Sequence, residues 1–405
     1  MIFFMTNSNR LHKFSLAEIL AFLLISLQLA LYSFMWFQLL SDPSLKTMDF
    51  VSFYAVGRLI RAGEYEKIYD FDSEAVIQRQ VAGEGYQDPL IFNHPPHVTP
   101  LLALSASDDY ARAYVYWSAV RLLVMIVCVE MIRRYLIHSG WTNLSAWLGA
   151  LGGITFFPIF ISLLGGQDTV FTLIGLLIWM FALLKRKEIS AGLGLAFATL
   201  SPTIAGALAL PLFASRRRAG LWFIASSLGL AIYSLLLVGI QGLKDLLDLL
   251  RISSQGEYYG FDWSGMYNLL GFLVRSFPNL GIATARSIAW AAAAISILGM
   301  CIFWWNRRSQ INIRHIGIVV TLGTLTSPHL NLHGLSYLLL PLIGIVTILH
   351  ERGNKSLALI LVPAISTVLV FALFFIPALN FAAYYLLMSG LLLGFAVLKP
   401  SAITV

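Results

Sequence analysis

Asp49 lies nine residues beyond the apolar run Ile19 to Leu40, so its carboxylate falls close to a lipid boundary. There it can meet the head group of a lipid whose tail stays in the bilayer. Suppose that head group is a sugar on a phosphate. The phosphate titrates near about pH 6 and leaves as an anion without much help from an acid. The accepting hydroxyl does need a base, and one positioned carboxylate suffices. The sugar passes through an oxocarbenium-like state, which nearby negative charge favours. The competing reading is a helix N-cap, because a helically periodic run begins at Phe50.

His94, His97, His329 and His333 are half of the eight histidines in the chain. His329 and His333 stand at i, i+4, the spacing of a metal pair on one helix face. The Ser327-Pro328 break argues against a helix there, and no third ligand is fixed by sequence. Phosphate binding by histidine or arginine fits these positions better than metal. Arg58 and Arg61 either clamp a phosphate or anchor a surface helix to lipid head groups. Gln167-Asp168 follows Gly165-Gly166, a pattern that a turn and an N-cap explain. Tyr258, Tyr259 and Trp263 are candidates to stack on sugar faces, although aromatic residues near span ends also form interfacial belts.

These residues need a scaffold, and composition defines it. The 405 residues are 58% hydrophobic and 12% charged, with mean hydropathy +0.79. Soluble domains are about 25% charged, so lipid is the solvent this composition requires. The net charge of +7 does not signal nucleic acid, because the basic residues sit in short clusters between apolar runs, as the positive-inside rule expects. Cys128 and Cys301 lie in apolar runs and read as buried thiols. The first apolar run has no small-residue cleavage site and reads as a retained helix.

Segment by segment, the pattern predicts an all-α polytopic membrane protein with about twelve segments, both termini cytoplasmic, folded as one membrane domain over residues 1–405. Two long loops fall on the far side, 41–112 and 241–280. The stretch from Ser41 to Tyr110 holds 11 of the 20 carboxylates and 5 of the 27 Lys and Arg. In it, Phe50, Phe53, Tyr54, Val56, Leu59 and Ile60 predict an amphipathic helix on the membrane surface, and a second short helix is expected from Ser73 to Val81. Leu144 to Leu164 reads as one span. Leu221 to Ile240 reads as another. The run Ala191 to Phe213 has basic clusters at both ends, Lys185-Arg186-Lys187 and Arg216-Arg217-Arg218. Two short helices broken at Ser201-Pro202 would keep both clusters on one side, and such breaks often line a cavity.

Asp49-Phe50 with Tyr54, Gly63 with Tyr69-Asp70, Pro95-Pro96 with Pro100, Gly166-Gln167 and Ser327-Pro328-His329, in this order, resemble glycosyltransferase family 87. The resemblance runs from the first apolar helix to about the tenth. It implies a GT-C fold and an inverting mannosyltransferase outside the bacterial cytoplasmic membrane, with a polyprenyl-phosphate sugar as donor and no nucleotide, metal or other cofactor. Asp49 matches the family's catalytic base and His329 a histidine near the donor phosphate, with Arg58 and His333 as further phosphate candidates. The family's lysine before the proline of the broken segment is Ser201 here. The acceptor would be a hydroxyl of a lipid or envelope glycan. The rival classes are a lipid-linked sugar transporter and a non-catalytic assembly protein. Transporters place ionisable groups at mid-membrane, whereas here the carboxylates collect outside the apolar runs.

Overall fold

A computed structural model describes residues 14–255 and 263–398. It is all-α, with no strand among the described residues. The first helix, α1 (Leu16–Ser41), opens on a capping box between Ser15 and Glu18, which satisfies otherwise orphaned backbone donors. The first polar loop folds into α2 (Phe50–Arg61), α3 (Phe71–Ala82) and α4 (Thr99–Ser105). Next come α5 (Tyr110–His138), α6 (Asn143–Ile154), α7 (Phe157–Gly165), α8 (Thr169–Leu184), α9 (Glu188–Phe197), α10 (Pro202–Ser215) and α11 (Arg217–Gln255). The rest is α12 (Leu269–Ser276), α13 (Ile282–Asn306), α14 (Ile313–Leu325), α15 (Leu339–Glu351), α16 (Lys355–Phe375) and α17 (Pro377–Val397).

Among the described residues, 7 helices are long and apolar enough to cross a membrane, and the bent pair α6–α7 makes up to 8. Phe22, Leu236, Ile295 and Leu386 project from these spans with exposed side chains, an arrangement that suits a lipid solvent. The other four of the twelve expected segments are α8, α9, α10 and α14. At about 1.5 Å per residue, none reaches across a hydrocarbon core of about 30 Å by itself. Of these, α8 and α14 are largely buried in the bundle, while α9 and α10 pack with one face inward and leave Leu193 and Leu210 exposed.

The break in the 191–213 run is where the sequence places it. A 3-10 turn over Ala198–Leu200 separates α9 from α10. The segment also folds back on itself. Glu188 at the start of α9 lies 3.9 Å from Arg216 just after α10, so both basic clusters meet at one end and Ser201 forms the tip.

Three features differ from expectation. The span Leu144 to Leu164 is bent by 53° between α6 and α7, next to Pro158 in the first turn of α7, which supplies no backbone donor. The helix expected to end at Ile240 changes direction at Gly239 (φ 69°) and stays helical to Gln255. Its outer part packs over the segments 65–67 and 96–98. Finally, α2 does not lie on lipid. Ten of its 12 residues are buried against α3, α4 and α5, because the rest of the loop covers the side that would have faced the membrane.

Candidate functional site

The turns between helices converge on a cavity of about 410 Å³. Its walls come from the 167–169 turn, the 200–204 tip, the 327–334 turn, the start of α2 and the strip 90–94. One side is formed by Leu250 of α11 and by Arg286, Ala289 and Trp290 of α13.

Asp49 occupies the N-cap position of α2 but makes no side-chain capping bond. Its carboxylate accepts a 2.6 Å hydrogen bond from Gln167 Nε2 instead. The approach of the two elements depends on Gly166, which has φ +82° and whose Cβ, if it had one, would lie 2.4 Å from that of Phe50. Three side chains of α5 hold this turn from behind. Tyr114 donates to Leu164 O and Trp117 Nε1 to Gly166 O, both at 2.7 Å. Arg121, fully buried, donates to Leu163 O at 2.7 Å and to Ser162 O at 3.3 Å. Those carbonyls lie in the last turn of α7, where they also accept from Gln167 N at 3.0 Å and from Gly166 N at 3.4 Å, so Arg121 adds a second donor to a capped helix end.

Asp168 likewise sits at the N-cap of α8 without capping it. Its Oδ2 lies 3.0 Å from His94 Nδ1. The His94 ring packs against Phe53 and Phe92, and its carbonyl accepts from Tyr69 at 2.6 Å. The strip that carries His94 is clamped by α3. Gln78 bonds both backbone groups of Leu90, and Glu74 accepts from Phe92 N at 3.1 Å.

His329 and His333 line the cavity from the far turn. The second polar loop supports that turn: Tyr267 N donates to Leu330 O, and Asn268 Nδ2 donates to Ser327 O, each at 2.8 Å. Burial, reinforced by His333 and His94, pushes the His329 imidazole down to about 4. It is therefore neutral at physiological pH and binds by hydrogen bonding, with Asn331 3.3 Å from its Nε2. Among the described residues no three of His, Cys, Asp and Glu gather closely enough to hold a metal ion.

Of the candidates read from sequence, Asp49, His94, His329, His333 and Trp263 line one cavity. His97 is outside the lining, half-buried, and its imidazole is pushed down by burial. Arg58 faces elsewhere, where its Nη1 lies 2.7 Å from Asp108, and Arg61 donates to the Ala106 carbonyl. Both arginines are used inside the loop, which follows from the burial of α2. Tyr258 and Tyr259 lie outside the described residues. Sequence reasoning did not single out Arg121 or Arg286. Each is a lone charge within an apolar run, and that was the signal.

A family model for glycosyltransferase family 87 matches residues 92–328, more than half of the chain. The chain belongs to that family and is a membrane glycosyltransferase. The matched segment is shorter than the resemblance read from the motifs, and Asp49 and His329 fall outside it. No curated protein and no solved structure matches the chain.

Proposed function

We propose that the protein transfers a hexose, in our reading mannose, from a polyprenyl-phosphate carrier to a hydroxyl of a lipid or envelope glycan, on the outer side of the bacterial cytoplasmic membrane. The observation that carries this reading is the Asp49 carboxylate. It is free of capping duty, oriented by Gln167, and set in a cavity beside apolar spans. Asp49 takes the proton of the acceptor hydroxyl. The acceptor oxygen then bonds to the anomeric carbon from the face opposite the phosphate. The bond from that carbon to the phosphate oxygen breaks, and the lipid phosphate leaves with the electron pair, so the configuration inverts. His94, held by Asp168, and His329 and His333 offer donors to phosphate or sugar oxygens, and Trp263 offers a ring face to the sugar. Glycosyltransferase membership sets the transporter reading aside.

The test is transfer from radiolabelled polyprenyl-phosphate mannose by purified protein. Asp49→Asn should insert and purify normally and lose turnover by about 100- to 10,000-fold, the range for a positioned base. Full turnover by that variant would remove Asp49 from the mechanism.

A further inference from the structure

Gln167 brings two polar side-chain atoms to the cavity wall, and the protein uses one of them. Its Nε2 donates to Asp49 Oδ2 at 2.6 Å. A carboxylate only accepts, so the amide nitrogen must face Asp49 and the amide oxygen must face away from it. That oxygen, Oε1, is buried and has no hydrogen-bond partner among the described residues. One other buried oxygen of the wall, Asp168 Oδ2, has the His94 ring nitrogen 3.0 Å away.

Gln167 is not free to swing toward a partner. Its backbone N donates to Ser162 O at 3.0 Å. Gly166 before it has φ +82° and packs against Phe50, and Gln167 as a whole is 7% exposed. Buried acceptors are rarely left unpaired, because the lost solvation is costly. At the wall of a substrate cavity the missing donor comes from what enters.

Asp49 narrows the choice of donor. It meets the acceptor hydroxyl as that oxygen bonds to the anomeric carbon, so the adjoining amide oxygen faces the ring atoms beside that carbon. One of these is the ring oxygen, which has no proton to donate. The other carries the 2-hydroxyl. As positive charge develops on the ring, a hydrogen bond from the 2-hydroxyl strengthens in the transition state. An amide oxygen accepts such a bond without taking the proton, which a second carboxylate could do.

Building on the donor and base assignments above, we infer that Gln167 Oε1 accepts a hydrogen bond from the 2-hydroxyl of the transferred hexose. One side chain then orients the base and selects a sugar that carries this hydroxyl.

The test compares polyprenyl-phosphate mannose with its 2-deoxy and 6-deoxy analogues. Sugar release is followed with detergent-purified full-length protein and an envelope lipid extract as acceptor. The 2-hydroxyl withdraws electrons, so its removal by itself makes the sugar ionise more readily and would raise kcat. Wild type should instead turn the 2-deoxy donor over about 10- to 100-fold more slowly than the mannosyl donor, as expected of a bond that tightens in the transition state, with KM nearly unchanged. The 6-deoxy donor should lose much less. Gln167→Lys keeps a donor toward Asp49 and has no acceptor, so in that variant the 2-deoxy donor should react at least as fast as the mannosyl donor. A Gln167 that only orients Asp49 would lower kcat equally for all three donors and leave their ratios as in wild type, and that result overturns the assignment. So does a wild-type enzyme that releases the 2-deoxy sugar as fast as mannose, which decides the matter even if Gln167→Lys does not fold. A variant that loses discrimination at the 6-position instead overturns it as well. These three outcomes leave the mannosyl donor standing. Wild type that releases no mannose from the carrier removes that donor, and this assignment with it.

Discussion

Gln167 donates its side-chain amide to Oδ2 of Asp49 at 2.6 Å, joining residues 118 apart in the chain. The bond occupies one carboxylate oxygen and fixes the plane of the group, leaving the other oxygen to receive a proton. Gln167→Ala should therefore lower kcat by about 10-fold, the worth of one hydrogen bond, with little change in KM. Gln167→Glu tests the same contact through charge. Two carboxyls at this spacing share a proton, so one of them titrates higher. The acidic limb of the kcat profile should then move to higher pH. An unshifted profile with unchanged kcat would mean that the contact does not orient the base.

The grip of α5 on the same turn gives a second prediction. Arg121 is buried, with Tyr114 and Trp117 rings at 5.9 and 5.7 Å from its guanidinium carbon. Arg121→Met keeps most of the volume and removes the charged donor from the Ser162 and Leu163 carbonyls, which keep only their backbone partners Gln167 N and Gly166 N, at a cost of about 1.5–3 kcal/mol for the lost charge-assisted bonds. The midpoint of thermal unfolding in detergent should fall. In the protein that remains folded, kcat should fall more than KM rises, because Gln167 loses its backing. Arg121→Lys should restore stability in part, since an ammonium also donates to carbonyls but without the fork geometry. A stable Arg121→Met protein with normal kcat would show that the turn holds without it.

Asp49 and Asp168 mark where sequence reading stops. Both stand at the N-cap positions of helices, so the local pattern is correct, yet neither carboxylate caps. Their partners, Gln167 and His94, come from other elements, and the side-chain choice is made by tertiary packing. The re-entrant segment was legible because charge decides it: two flanking basic clusters favour one side, and Glu188 and Arg216 do meet. The burial of α2 was not legible, because an apolar helix face reads the same against lipid as against protein. Arg58 followed that error, since a helix covered by its own loop turns its arginines to loop partners such as Asp108 and Ala106. The bend between α6 and α7 had a visible signal in Pro158.

The last prediction concerns pH and the strip that carries His94. Glu74 is fully buried, and burial raises its carboxyl well above the ordinary 4.5, while the bond from Phe92 N opposes the rise and Asp70 adds to it. In the folded protein Glu74 therefore keeps its proton over a pH range in which the unfolded chain has lost it. The folded state binds the extra proton, so stability is fully present below about pH 4.5 and declines as pH rises toward the folded value. The clamp on residues 90–92 should then loosen on the alkaline side, seen as faster hydrogen exchange over 71–94 when pH-corrected rates are compared between pH 6 and pH 9 buffers. Glu74→Gln resembles the protonated acid in shape and can still accept from Phe92 N, so its exchange should be nearly level across that range. His329, pushed down to about 4, has the opposite sign. Its contribution is present above about pH 6.5 and is lost as pH falls, so it cannot produce the alkaline loosening. If Glu74→Gln keeps the wild-type slope, the titrating group lies elsewhere and the clamp is indifferent to this carboxyl.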